Sequence, residues 1–102
     1  ISELETRVVF DESVYQDLVD IMHWYGGQRM GLENEFLLSF EASIQKIARN
    51  PELYPITAKG SRAVVLRRFP YRIFYKNYID QVVVFGVFHT KRSPSFIRKR
   101  LK

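Results

Sequence analysis

Arg62-Ala-Val-Val-Leu-Arg-Arg-Phe-Pro-Tyr-Arg-Ile-Phe-Tyr-Lys76 is followed, after Asn77-Tyr-Ile-Asp80, by Gln81-Val-Val-Val-Phe-Gly-Val-Phe-His-Thr-Lys-Arg-Ser-Pro94. β-Branched and aromatic residues dominate both runs and turn formers separate them, which predicts three strands in an antiparallel meander. The first strand is expected over 62–69, ending at Pro70-Tyr71, where a proline costs no ladder bond. In the second, Ile73 and Tyr75 share one face, and Arg72, Phe74 and Lys76 the other. The third, 81–89, is apolar on both sides, with Val83, Phe85 and Val87 on one and Val82, Val84 and Phe88 on the other. That is the pattern of a central strand covered twice. Gly86 in its middle weakens the strand and marks a bulge or a close approach by another group.

Everything before this stretch must pack against the meander. Glu5-Thr-Arg-Val-Val-Phe10 alternates weakly and carries Val8, Val9 and Phe10, which predicts a first strand that joins the sheet. Asp11 can cap a helix, with Glu12 favoured in its first turn; Ser13 with Gln16 is an alternative capping box. Val14, Leu18, Ile21, Met22 and Tyr25 form one face of that helix, with Asp17 and Asp20 on the other. Gly26-Gly27 should stop it, and Gly31 marks a second flexible point. A second helix over 32–49 carries Phe36, Phe40, Ile44 and Ile47, and ends at Asn50-Pro51. The short connection implies an antiparallel helix hairpin. Residues 51–61 read as a loop, and Ser93-Pro94 as the cap and first turn of a short terminal helix. The expected fold is α+β: strand, helix hairpin, three-strand meander and terminal helix, in one domain over 1–102.

The chain has 102 residues, 46% hydrophobic and 15% aromatic, enough for a real core. It contains no cysteine, which suits a reducing cytoplasm, and the run Val82 to Phe88 is too short to span a bilayer. We expect a cytoplasmic protein with no membrane contact. Its net charge of +5 is unevenly placed: residues 1–58 carry four Lys or Arg against ten acids, and residues 59–102 twelve against Asp80 alone. A basic half of that strength attracts a polyanion. The plainer reading is a solvated surface that keeps the protein soluble.

Phe69-Pro70-Tyr71-Arg72-Ile73-Phe74-Tyr75 in the sheet, Asn50-Pro51 after the second helix, and Val87-Phe88-His89-Thr90-Lys91-Arg92-Ser93-Pro94 form an ordered set along nearly the whole chain. The set resembles the RelE/ParE superfamily of bacterial toxins, and its tail is more similar to the ParE branch. The resemblance implies the toxin of a type II toxin–antitoxin module, of the kind linked to plasmid stabilisation, held inactive by a small antitoxin that wraps it. ParE-like members are associated with poisoning DNA gyrase, and RelE-like members with cutting messenger RNA in the ribosomal A site. In this superfamily operator DNA is commonly bound through the antitoxin.

RNA cleavage without a metal needs a base, an acid, and cations for the phosphorane. By resemblance, Arg72 and Arg92 match the superfamily's phosphate-stabilising arginines. The RelE pattern also wants lysines before Arg72, where this chain has Ala63 and Val65, and a tyrosine in the tail, where it has Phe96, Ile97 and Arg98. His89 could supply a proton role near neutral pH, although a strand-end histidine tied into the tail turn is the blander account. Arg72 could likewise lie along Phe74 and pair with an acid from the first half.

With two histidines and no cysteine, no metal is expected, nor any other cofactor. Trp24 and Tyr25 read as core and hairpin packing. The expectation is therefore a gyrase inhibitor without covalent chemistry, engaging its target or nucleic acid through Arg67, Arg68, Arg72, Lys91, Arg92 and Arg98. The alternative is a ribosome-dependent endoribonuclease using Arg72, His89 and Arg92. The partners expected are an antitoxin and gyrase, or the ribosome and its message.

Overall fold

A computed structural model describes residues 6–101. Its elements run β1 (Val8–Phe10), α1 (Glu12–Gln28), α2 (Leu32–Arg49), a single 3-10 turn (Ala58–Gly60), β2 (Arg62–Val65), β3 (Tyr71–Asn77), β4 (Val82–His89) and α3 (Pro94–Arg100). This is the α+β arrangement expected. The sheet order is β1-β4-β3-β2, antiparallel within the meander, with β1 parallel to β4. The most apolar strand thus lies inside the sheet, between β1 and β3.

The caps follow the chemistry of the sequence. Asp11 accepts from Ser13 N–H at the start of α1, and Ser93 Oγ accepts from Phe96 N–H at 3.2 Å with Pro94 in the first turn of α3. Asn50 closes α2. Gly26 and Gly27 do not stop α1, contrary to expectation; both are helical, and the helix continues to Gln28. At Gly26 the missing side chain serves the hairpin instead, because a Cβ there would lie 3.3 Å from a Glu33 carboxylate oxygen of α2, whereas a Cβ on Gly27 would meet open space. The reversal falls at Gly31, whose φ of 88° favours glycine.

β2 is also shorter than expected. Its pairing ends at Val65, Leu66 N–H donates to Tyr71 O at 2.8 Å, and Arg68 turns the chain at a φ of 74°. That turn sends Phe69 under the helices, where its ring meets Tyr25 at 5.1 Å and Phe36 at 5.4 Å. Tyr25 is core as expected. Trp24 is not: it is 59% exposed, because it falls on the flank of α1, away from the stripe of Val14, Ile21 and Tyr25.

A bulge rearranges β4. Phe74 pairs with Gly86 and Tyr75 with Val84, so Phe85 is one residue too many. The extra residue inverts the alternation beyond it. Val82, Val84 and Val87 face the helix hairpin with Ile73 and Tyr75, while Phe85 and Phe88 join Phe74 beneath α3. The expected faces of Val87 and Phe88 are therefore exchanged. Gly86 serves the close approach as well, since a Cβ there would run into the Phe88 ring.

The sheet consequently has a core on each face. Val14, Phe36, Phe40 and Ile47 of the hairpin cover one, and Ile97 and Leu101 pin the tail to the other. Burial of each such side chain contributes about 1.5–3 kcal/mol. β1 pairs only with Val82 to Val84, which leaves the rest of that β4 edge without a strand. Side chains of α1 take its backbone groups: Ser13 Oγ donates to Phe85 O at 3.4 Å, and Val87 N–H donates to Asp17 at 3.2 Å. Asp17 also accepts both guanidinium NH groups of Arg100, at 3.0 and 2.8 Å. The polar face assigned to Asp17 is thus an internal junction.

Candidate nucleic-acid interface

Arg72 lies on the face of β3 that looks toward the tail, between Val65 and Phe88 on the neighbouring strands. Its guanidinium sits 5.0 Å from the centre of the Phe74 ring. The expected packing on Phe74 is present, and the expected acid is not: Nε is buried with no hydrogen-bond partner among the described residues. Arg92, in the turn after β4, stands 4.2 Å over the Phe96 ring of α3, and Arg98 follows one turn later on that helix.

These three arginines meet. With Thr57, Ala58, Phe74, Pro94 and Ile97 they line one open cavity of about 190 Å³, and no acidic side chain among the described residues lines it. A planar guanidinium presents several donors in a fork suited to phosphate oxygens. Three guanidinium groups around one hollow are an arrangement chemically suited to an oxyanion.

A second cavity of about 180 Å³ shares Arg92 with it. Tyr71, His89, Asp17 and Asp20 line it, with Phe88 as a further wall. Tyr71 and His89 are cross-strand partners, their rings edge-on at 5.2 Å. His89 is tied into the tail turn: Lys91 N–H donates to its Nδ1 at 3.0 Å, and Arg92 N–H to its carbonyl. Burial pushes the Tyr71 phenol above its ordinary pKa, and the nearby Arg92 charge partly opposes that rise.

The remaining expected residues lie elsewhere. Arg67 and Arg68 sit on the β2–β3 turn and line a groove along α2 with Leu38, Lys46 and Phe69; Arg68 pairs with Glu35 at 3.1 Å. Lys91 is exposed at the tail turn, beside Arg92. The six basic residues therefore divide into a sheet-and-tail cluster and a hairpin-side pair.

Sequence reading missed Tyr71 and Asp20. Aligning the meander would have found Tyr71, which is opposite His89; Asp20 shows no such signal. Among the described residues no cluster of His, Asp or Glu could hold a metal ion, and no helix is long and apolar enough to cross a membrane.

Residues 8–94 match the family described as ParE toxin of the type II toxin–antitoxin system, parDE. The chain belongs to the ParE toxin family. A type II toxin has an antitoxin as its partner, and the fold agrees with the assignment. A solved structure titled as the chromosomal ParDE TA system from P. aeruginosa is similar with a TM-score of 0.74 at 11% identity, covering 84% of this chain and 97% of that one. No curated protein matches the ParE-family chain.

Proposed function

We propose that this ParE-family toxin arrests growth by binding a protein–DNA target, with DNA gyrase as that target, and performs no covalent chemistry itself. The observation that carries the reading is the cavity that Arg72, Arg92 and Arg98 line together, with no acid among its described lining residues. Such a site holds a phosphate without cleaving it, because no general base lines it. Gyrase supercoiling and DNA-cleavage assays test the target: wild-type toxin should trap cleaved DNA, and unchanged supercoiling at saturating toxin would overturn the proposal.

The ribonuclease alternative draws on the cavity shared by Tyr71, His89 and Arg92. It has less support, because Arg72 and His89 line different cavities that have Arg92 in common. It predicts codon-phased cuts in translated messages, and ribosome profiling after induction reads them directly.

The antitoxin has its own surface. Tyr15, Leu18, Leu37 and Ile44 line an apolar groove of about 540 Å³ between α1 and α2. The basic groove of Lys46, Arg67 and Arg68 runs along α2, with Leu38 exposed beside it. An amphipathic antitoxin segment with acidic flanks suits both. A hydrogen-exchange footprint of the complex should fall on the hairpin; protection confined to α3 would contradict this placement. Operator DNA would then be read through the antitoxin.

A further inference from the structure

We propose that the cavity beside His89 is a pocket for one unstacked nucleobase of the DNA held by the arginines, and that it selects guanine. The inference rests on the reading of the arginine cluster as a DNA-phosphate site.

Position and shape come first. Arg92 lines both hollows, so a phosphate in one and a flat group in the other are joined through a single residue. The second hollow, about 180 Å³, is walled by the rings of Tyr71, His89 and Phe96. Aromatic walls next to a cationic groove are how proteins accept single-stranded bases.

The hydrogen-bonding groups then choose among bases. Asp20 receives the Gln16 amide on one carboxylate oxygen at 2.8 Å, and its other oxygen has no hydrogen bond among the described residues. Both oxygens of Asp17 are already taken by Arg100 and Val87. Because His89 Nδ1 accepts from Lys91 N–H, the neutral imidazole carries its proton on Nε2 and is a donor there. The pocket therefore offers a carboxylate acceptor together with imidazole and guanidinium donors.

Guanine is the complement. Its N1–H and N2–H₂ are adjacent donors for a carboxylate, while O6 and N7 are acceptors along the other edge. Adenine and cytosine place a ring-nitrogen acceptor beside their amino group, and thymine flanks its single N–H with two carbonyls. Each of these turns a lone pair toward Asp20.

The test is fluorescence anisotropy with labelled oligo-dT carrying one central dG, dA, dC or deoxyinosine, on the full chain. The dG oligonucleotide should bind roughly tenfold more tightly than the dA or dC one. Deoxyinosine, which keeps N1–H but lacks the 2-amino group, should fall between dG and dA. Asp20→Asn should erase the preference for dG over the other three, with an unaltered melting temperature as the folding control. Arg92→Ala should weaken all the oligonucleotides together.

Equal affinity for the four, a dG preference that survives Asp20→Asn, or no binding at millimolar DNA overturns the pocket. Tighter binding of the matched RNA series overturns its assignment to DNA. A dG preference with no effect on gyrase supports the pocket while removing the gyrase target. Gyrase poisoning by wild-type toxin without any base preference does the reverse.

Discussion

The carboxylate of Asp17 and the guanidinium of Arg100 form a two-point fork, 14% and 25% exposed, that joins the first helix to the last around the unpaired edge of β4. Arg100 also stands 4.8 Å over the Phe88 ring, on the opposite face of the sheet from the hairpin core. One side chain thus links both layers at the point where β1 stops. The tail that carries Arg98 is held there, and at Ile97 and Leu101.

Arg100→Ala should destabilise the protein by about 1.5–3 kcal/mol, the range for hydrogen bonds to charged groups whose partner stays behind poorly solvated. Arg100→Lys should recover little, since an ammonium cannot reproduce the fork. Urea denaturation reads both. An Arg100→Ala midpoint equal to wild type would show that the fork adds nothing to stability.

Gly86→Ala should cost about 1–3 kcal/mol, because the new methyl would meet a Phe88 ring that is itself buried and has no room to withdraw. The smaller side chain of Phe88→Leu should compensate, so the double variant should be more stable than the sum of the single effects. A melting series of the two singles and the double checks this; strict additivity would mean that the ring moves freely aside.

The meander, the helix hairpin, the caps at Asp11 and Ser93 and the central place of β4 were all legible in the sequence, because each depends on local periodicity or on one cap residue. What was hidden depends on contacts far apart in the chain. The strand pattern of 81–89 is apolar on both sides, so nothing in it shows that Phe85 is unpaired and that Val87 and Phe88 change faces. Gly26-Gly27 has the form of a helix stop, yet both are helical and the approach of Glu33 makes use of the missing side chain of Gly26. Of the candidate site, the arginines were visible as residue types. Their division into two groups was not, because it follows from Arg68 turning the chain toward α2.

Stability should fall with rising pH above about 10 through Tyr75. Burial raises its phenol pKa to about 12, against a small opposing effect of Arg62, and the hydroxyl donates to Pro51 O at 2.7 Å. Between the unfolded and folded pKa values the unfolded chain has released the proton and the folded chain keeps it. The unfolded state then binds fewer protons, and stability drops by up to about 1.4 kcal/mol per pH unit. Below that window the proton is bound in both states and the slope vanishes. Tyr75→Phe should flatten the decline, at a cost of about 1 kcal/mol near neutral pH for the lost hydrogen bond. Urea midpoints from pH 8 to 11 measure it, and identical slopes for the two proteins would assign the alkaline loss to other groups.

Arg72→Ala and Arg92→Ala should abolish growth arrest and leave antitoxin binding near wild type, since the arginine cavity and the apolar groove of the hairpin share no residue. The cost in stability should be small, because neither guanidinium has an ion pair among the described residues and both lie over aromatic rings, interactions of about 0.5–2 kcal/mol. Each substitution should also lower the dependence of DNA affinity on salt by about one unit of log–log slope, the signature of one lost phosphate contact. Arg67→Ala and Arg68→Ala should show the opposite pattern, weakening the antitoxin complex more than toxicity, because their groove follows α2. Growth curves, calorimetric titration with antitoxin and salt-dependent anisotropy together decide between the two arginine groups. Loss of toxicity in Arg67→Ala with full activity in Arg72→Ala would place the target surface on the hairpin.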